Sequence, residues 1–204
     1  MTIVRRTWAT GVVLALAVTC ASGAVPGPRA LRVLRERLAG AGRAEVAVSQ
    51  VVMAAGDTVR RLRGQLTLEL PDRVRVDDAL SGERLTARSD GGEWLQPAAN
   101  QMLILRPEQA GQVAGVWRFL LDHSDRIERL AGSGRFVLRS GQPDAPVDSL
   151  WVQLRSDGLP LQVCAYAGEE QWTLDFGRWR FRAPRGAGAF KLRAPAGYTV
   201  LEWP

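Results

Sequence analysis

Apolar and polar side chains alternate along much of this chain, and that alternation restricts the fold more than any other feature. Apolar residues occupy every second position in the segments 66–70, 74–76 and 150–154, while the positions between them carry mostly charged or polar groups. Turns rich in Gly, Asp and Pro separate these segments. A period of two is typical of strands that have one buried and one polar face. The sequence therefore predicts a largely antiparallel sheet.

A phase change interrupts this alternation near residue 177. The apolar residues at 172, 174 and 176 share one face, whereas Trp179 and Phe181 have the opposite parity. Gly177 lies between the two sets, and glycine inside a strand often marks a bulge or bend. We therefore expect a break in the strand at Gly177.

Two segments follow a helical period instead. Pro28 suits the first position of a helix, three leucines between residues 31 and 38 recur at helical spacing, and Gly40 and Gly42 end the pattern. The second segment runs from Pro107 to about Asp122, where five apolar residues form one stripe. A long open sheet must curl or close. We therefore predict a mainly β protein with helices, in which a single curved antiparallel sheet of about ten or eleven strands forms an incomplete, unclosed β-barrel lidded by short helices.

The amino terminus resembles a secretory signal. Arg5 and Arg6 precede an uncharged apolar run over residues 8–19, which is too short to span a bilayer, and small residues follow at 21–24. We expect residues 1–24 to be a signal peptide and residues 25–204 to form one domain in the periplasm. A twin-arginine signal and lipid attachment at Cys20 are the less favoured alternatives.

Composition argues against several functional classes. The net charge at pH 7 is +6, and removal of Arg5 and Arg6 lowers it to +4, with no block of basic residues that would indicate nucleic acid. Only Cys164 would remain in the mature chain, so an internal disulfide is ruled out. His123 is the only histidine, which excludes a histidine-based metal cluster. No phosphate loop, dinucleotide fingerprint or hydrolase motif is present. We expect no enzyme activity, no cofactor and no metal.

Four motifs in order resemble one known family. They are the corner Gly64–Val76, the hairpin Ser89–Gln101 with Trp94, the turn Ser156–Leu161 and the ending Phe190–Leu201. In the ending, a strand bearing Phe190 and Leu192 should lead into a Pro195-x-Gly197 turn and a short apolar edge. Together they resemble the LolA-type outer-membrane lipoprotein carriers. The resemblance implies a half-barrel over residues 25–204 that carries acyl chains through water.

The resemblance also implies a binding site and partners. It places the cargo between wall strands and a helical lid, and it implies a monomer that accepts an acylated lipoprotein or another lipid from an inner-membrane donor complex and passes it to an outer-membrane acceptor. The candidate wall residues are Leu66, Leu68, Val74, Val76 and Trp94, and the candidate lid residues are Val113, Val116, Trp117, Leu120 and Leu121.

One departure leaves the cargo open. Many carriers of this family have arginine just before the corner proline, where this chain has Leu70. A relative that carries another lipid therefore stays open. The alternative function is a regulatory or sensor module that binds a protein partner, since the fold also resembles the amino-terminal domain of the periplasmic stress regulator RseB.

Overall fold

The structure, a computed structural model, describes residues 29–111, 127–129, 135–139, 149–167 and 169–203. Helix α1 comes first and is followed by the strands of one sheet. The bounds are α1 Arg29–Ala41, β1 Arg43–Ala54, β2 Asp57–Glu69, β3 Arg73–Asp78, β4 Arg84–Arg88, β5 Gly91–Gln96, β6 Gln101–Leu105, β7 Ile127–Arg129, β8 Arg135–Arg139, β9 Ser149–Leu154, β10 Pro160–Ala167, β11 Glu170–Phe176, β12 Arg180–Arg182 and β13 Thr199–Glu202. Residues 107–111 are also helical.

The described strands form a single sheet that is not closed. Their order is β13-β6-β5-β4-β3-β2-β1-β11-β10-β9-β8-β7, and β12 pairs with β1 beyond the end of β11. All neighbours are antiparallel except β13 and β6, which run parallel. The predicted fold class, an unclosed half-barrel with short helices, is confirmed. The sheet has thirteen strands because it includes the short β7, β12 and β13.

The predicted first helix and the predicted break at Gly177 are both present. Helix α1 ends where Gly42 donates its N–H to the Leu38 carbonyl at 2.7 Å and adopts a φ of 86°, which favours glycine. Gly177 lies between β11 and β12 and donates its N–H to the Ala47 carbonyl at 2.8 Å. This break lets Phe176 and Trp179 both reach the core although their positions differ by three.

The core covers one face of the sheet. Leu34 and Leu38 of α1 pack with apolar residues of the strands in one continuous cluster. The helix itself lies against β1 and β12, near the middle of the sheet. The rest of the apolar face therefore extends well beyond the helix on both sides.

The opposite face is crossed by a segment that we call the strap, residues 183–192. Sequence alternation predicted a strand bearing Phe190 and Leu192, and that prediction is wrong. Ala187–Phe190 forms a 3₁₀ turn, and residues 191–198 form no strand. Phe190 is buried, but its backbone is held by side chains of the sheet instead of by a neighbouring strand.

The rest of the predicted ending is present. Gly197 has a φ of 85° in the turn after Pro195, and Tyr198 donates its N–H to the Pro195 carbonyl at 3.2 Å. The apolar edge at Val200 and Leu201 follows as β13, whose four residues are exposed.

Candidate functional site

The apolar face of the sheet is built from two rows of side chains that run across neighbouring strands. Residues paired directly across antiparallel strands have side chains on the same face and in contact distance. The first row is Val46, Leu66, Val76, Leu85, Trp94 and Leu103, from β1 to β6. The second row is Ala44, Leu68, Val74, Ala87, Gly92 and Leu105, in the same strand order. Polar side chains interrupt neither row.

The five candidate wall residues lie together on this face. Leu66 and Val76 are direct cross-strand partners, as are Leu68 and Val74, and Trp94 lies two strands further along the first row. Leu66, Leu68, Val74 and Trp94 are buried, whereas Val76 is partly buried. The period of two had paired Leu66 with Leu68 and Val74 with Val76 within their own strands, and the register of the strands is what brings all five residues to one face. The candidate lid residues Val113, Val116, Trp117, Leu120 and Leu121 lie outside the described residues, although residues 107–111 are helical where that helix was expected to begin.

The edge of this face retains partly exposed apolar side chains. Leu62 and Leu174 lie on either side of Gln50 in the register of β2, β1 and β11. Both pack against the core cluster without being fully buried. The other partly buried members are Val33, Leu70, Val76, Leu154, Phe181 and Trp203. Apolar surface is therefore accessible along the border of the face.

A pair of tryptophans lies at the β5–β6 end of the apolar face. The rings of Trp94 and Trp203 are stacked with their centroids 5.2 Å apart. Trp94 donates its indole N–H to the Glu83 carboxylate at 3.1 Å, and Arg60 lies 3.4 Å from the same carboxylate. The apolar ring thus faces the core while its polar atom reaches a charged group, which is common for buried tryptophan. Sequence analysis did not identify Trp203, because its partner is more than a hundred positions away.

The opposite face carries a charged network beneath the strap. Arg88 binds Glu93 through two guanidinium nitrogens at 2.8 and 2.9 Å, and it also donates to the Phe190 carbonyl. Glu93 accepts further hydrogen bonds from the Thr86 hydroxyl and the Leu192 N–H. Burial by itself would raise the pKa of Glu93, but these hydrogen bonds outweigh it and hold the pKa below its ordinary value.

A second anchor fixes the start of the strap. Glu69 is buried, accepts the Arg185 and Gly186 N–H groups at 2.7 and 3.1 Å, and pairs with Arg73 at 2.7 Å. Arg75 holds the other end of the 3₁₀ turn by donating to the Ala189 carbonyl at 3.0 Å. These charged residues lie on the polar face of the sheet, and the strap crosses that face where Glu69 and Arg88 are buried.

In the described ranges no group of three or more His, Cys, Asp or Glu side chains could hold a metal ion. Cys164 lies on the polar face near Gln162 and Thr173. His123 falls outside the described residues. Among the helices that the structure describes, none has both the length and the apolar character that crossing a bilayer requires.

Comparisons with known proteins concern the fold. No family model and no curated protein sequence matches this chain. An uncharacterised conserved protein from Thermus thermophilus aligns over 86% of this chain and 100% of its own length, with 16% identity and a TM-score of 0.52. A LolA superfamily protein from Nitrosomonas europaea aligns over 83% of this chain and 99% of its own, with 12% identity and a TM-score of 0.45. The lipoprotein LppX from Mycobacterium tuberculosis aligns over 74% and 95% of the two chains, with 10% identity and a TM-score of 0.40.

These similarities include the family that the sequence motifs indicated. One LolA superfamily protein is among the structures with which this chain aligns. The likeness to the Thermus thermophilus protein, with a TM-score of 0.52, is a likeness of fold. At such identities the comparisons describe the fold alone, and the function must be argued from the residues.

Proposed function

We propose that this protein is a carrier that binds the acyl chain of a lipoprotein, or of another lipid, against the apolar face of its sheet. The proposal rests chiefly on one observation, the two uninterrupted apolar rows that cross β1 to β6. Strands lie about 4.8 Å apart, so the five intervals of each row span roughly 24 Å. A row of that length matches an extended long acyl chain.

The energetics of such a site favour binding from water. Each methylene group transferred from water gains about 0.8 kcal/mol, so a chain of ~15 methylenes gains roughly 12 kcal/mol. A bilayer offers nearly the same gain. A carrier therefore needs an affinity close to that of the membrane and a route for release, and mobile covering helices would provide that route.

The proposal assigns a role to each candidate residue. Leu66, Leu68, Val74 and Val76 would form the wall, and Trp94 would close it at the β5 end. Val113, Val116, Trp117, Leu120 and Leu121 would cover the chain as a lid. The accessible border at Leu62 and Leu174 is where an acyl chain could enter.

The setting of the carrier is part of the same proposal. It would act as a monomer in the periplasm after removal of residues 1–24, with an inner-membrane donor complex and an outer-membrane acceptor as its partners. It would bind and release lipid without performing chemistry on it. Leu70, which replaces the family's arginine, leaves a lipid other than a lipoprotein acyl chain as an eligible cargo.

A solution experiment tests acyl binding directly. Delipidated protein is titrated with a fluorescent fatty-acyl probe, and unlabelled fatty acid is added as the competitor. The proposal predicts saturable fluorescence enhancement that the competitor reverses. A linear, unsaturated signal equal to that of a control protein would overturn it.

A protein-binding regulatory module is the second candidate function. The observation in its favour is β13, an edge strand on which Val200 and Leu201 are 51% and 44% exposed. An exposed edge strand can pair with a strand of a partner. Affinity capture from periplasmic extract separates the two candidates, because a carrier should capture acylated lipoproteins and lose them when they are deacylated, whereas a regulator should capture its partner regardless of acylation.

A further inference from the structure

One rim of the sheet combines exposed apolar side chains with exposed arginines. It consists of the first half of β2 and the turn between β3 and β4 with the strand ends on either side of that turn, residues 57–63 and 77–84, and we call it the arginine rim. The Ala79 N–H donates to the Arg63 carbonyl at 2.8 Å, and Arg60 reaches Glu83 at 3.4 Å. The turn therefore lies alongside the strand and forms one surface with it.

The apolar part of the rim is unusually exposed. Leu80 is 62% exposed and Val59 is 60% exposed, which makes them the two most exposed large apolar residues in the described part of the chain. Leu80 occupies the tip of the turn, where its N–H binds the Asp78 carboxylate at 3.0 Å. Both side chains therefore protrude into solvent from the same rim.

The basic part of the rim consists of three exposed arginines, Arg61, Arg63 and Arg84. Arg84 lies 3.7 Å from Asp77, beyond hydrogen-bonding distance, and Asp77 is instead bound by Arg75 through two hydrogen bonds of 2.8 Å.

The remaining acidic groups of the rim are mostly engaged within the protein. Asp78 accepts from the Arg63 N–H and the Ser81 hydroxyl in addition to Leu80. Glu83 accepts from Trp94 and Arg60, as described above, and Asp57 is the exposed acid. The outward charge of the rim is thus mainly positive.

A groove adjoins the arginines. It has a volume of about 950 Å³, is open to solvent, and lies on the outer face of β11 and β1 to β4. Three arginines and four acidic residues are among its lining residues: Arg63, Arg75, Arg84, Asp77, Asp78, Glu83 and Asp175. The groove itself is therefore not basic, and the positive charge of the rim comes from the exposed arginines, which together with protruding apolar residues form a combination that binds a membrane interface.

We propose that the arginine rim docks this protein on an anionic lipid surface. Val59 and Leu80 insert at the boundary between headgroups and acyl chains, while Arg61, Arg63 and Arg84 contact lipid phosphates. Leu62 points to the opposite face and packs at the border of the apolar face. Docking would therefore bring the border of the apolar face close to the bilayer. The docking proposal does not depend on the acyl-binding proposal.

Vesicle co-sedimentation tests the docking surface. Full-length mature protein is mixed with phosphatidylcholine vesicles with or without phosphatidylglycerol. Binding is expected only when phosphatidylglycerol is present, and it should weaken as salt is added because exposed charges are screened. The double variant Arg61→Glu/Arg63→Glu should lower the partition coefficient by at least about tenfold. Leu80→Asp should lower it as well.

A matched pair of arginines provides the control. Arg180 and Arg182 are also exposed and also lie two positions apart on one strand, but on β12, away from the rim. Arg180→Glu/Arg182→Glu changes the net charge equally and should leave binding within about twofold of the original. Equal losses for both double variants, or no binding of the original protein to anionic vesicles, would overturn the proposal. Thermal unfolding of each variant checks that it is folded. The acyl-probe titration in solution needs no membrane, so it separates a failure of docking from a failure of acyl binding.

Discussion

Trp203, the penultimate residue of the chain, stacks on Trp94 in the middle of the sequence, with ring centroids 5.2 Å apart and an interplanar angle of 24°. The Trp203 N–H also binds the Ile104 carbonyl at 2.9 Å. The end of the chain is therefore part of the wall at one end of the apolar face.

Removing the ring of Trp203 should destabilise the protein and change its aromatic spectrum. Trp203→Ala loses the stack and part of the apolar packing, so we expect the free energy of unfolding in urea to fall by about 2 kcal/mol. The near-ultraviolet circular dichroism of the Trp pair should also weaken. Val200→Ala, at an exposed position of the neighbouring strand β13, is the control and should change stability by less than about 0.5 kcal/mol. Equal effects of the two changes would contradict the described packing.

Enlarging a wall residue should impair acyl binding without unfolding the protein. Val76 is only partly buried, so Val76→Phe can be accommodated while its ring occupies space on the apolar face. We expect a loss of probe affinity of about tenfold, equivalent to nearly two methylene contacts. Val200→Phe, at an exposed position of β13, should bind the probe as the original does. Unchanged affinity in folded Val76→Phe would argue against Val76 as a wall residue.

Acid should destabilise the fold through Glu93. Its folded pKa is lowered from an ordinary value of 4.5, so its stabilising contribution is complete above that value and is lost as the pH falls through the lower folded pKa. Asp78, with an ordinary value of 3.8, acts in the same direction, since its hydrogen bonds lower its pKa despite the opposing effect of burial. Urea unfolding between about pH 6 and about pH 3 measures this slope.

The variant Glu93→Gln separates the contribution of this carboxylate. It should lower stability near neutral pH by about 1–3 kcal/mol, because Arg88 and the Leu192 N–H lose a charged acceptor, and it should flatten the acid slope. Glu36→Gln on the exposed surface of α1 should leave the stability near neutral pH and the acid slope nearly unchanged. An acid slope for Glu93→Gln as steep as that of the original protein would contradict this assignment.

Gly64 should tolerate no side chain. A Cβ at this position would lie 1.8 Å from the Asp77 carbonyl oxygen, so the β2–β3 pair would have to move apart. We expect Gly64→Ala to cost about 3 kcal/mol in the free energy of unfolding. Gly40→Ala is the matched control, since nothing lies within 4 Å of its added methyl and alanine favours the helix. A loss of less than about 1 kcal/mol for Gly64→Ala would contradict this close approach.

Patterns within short stretches of the sequence predicted several helices, strands and turns of the fold. Helical spacing and Gly42 located α1, the period of two located the strands that carry Leu66 and Val74, and Gly177 marked the break before β12. Each of these follows from residues that are close in sequence. The common face of β2, β3 and β5 depends instead on the register between strands, which the sequence alone does not give.

Features that depend on contacts between distant residues could not be predicted in this way. Phe190 and Leu192 have the spacing of a strand, but Arg75, Arg88 and Glu93 bind the backbone of this segment and hold it across the sheet. The same contacts accompany the burial of Glu69 and Arg88 on the polar face. The parallel pairing of β13 with β6 likewise joins residues about a hundred positions apart.

Photo-crosslinking tests the central claim, acyl binding on the apolar face, most directly. A fatty acid with a diazirine near the end of its chain is bound to the delipidated protein, irradiated, and located by peptide mass spectrometry with and without excess unlabelled fatty acid. Acyl binding on the two rows predicts competed adducts in the peptides that carry Leu66 to Val76 and Trp94. Competed adducts confined to exposed outer residues such as Tyr166 and Val200, or no competed adducts at all, would contradict it.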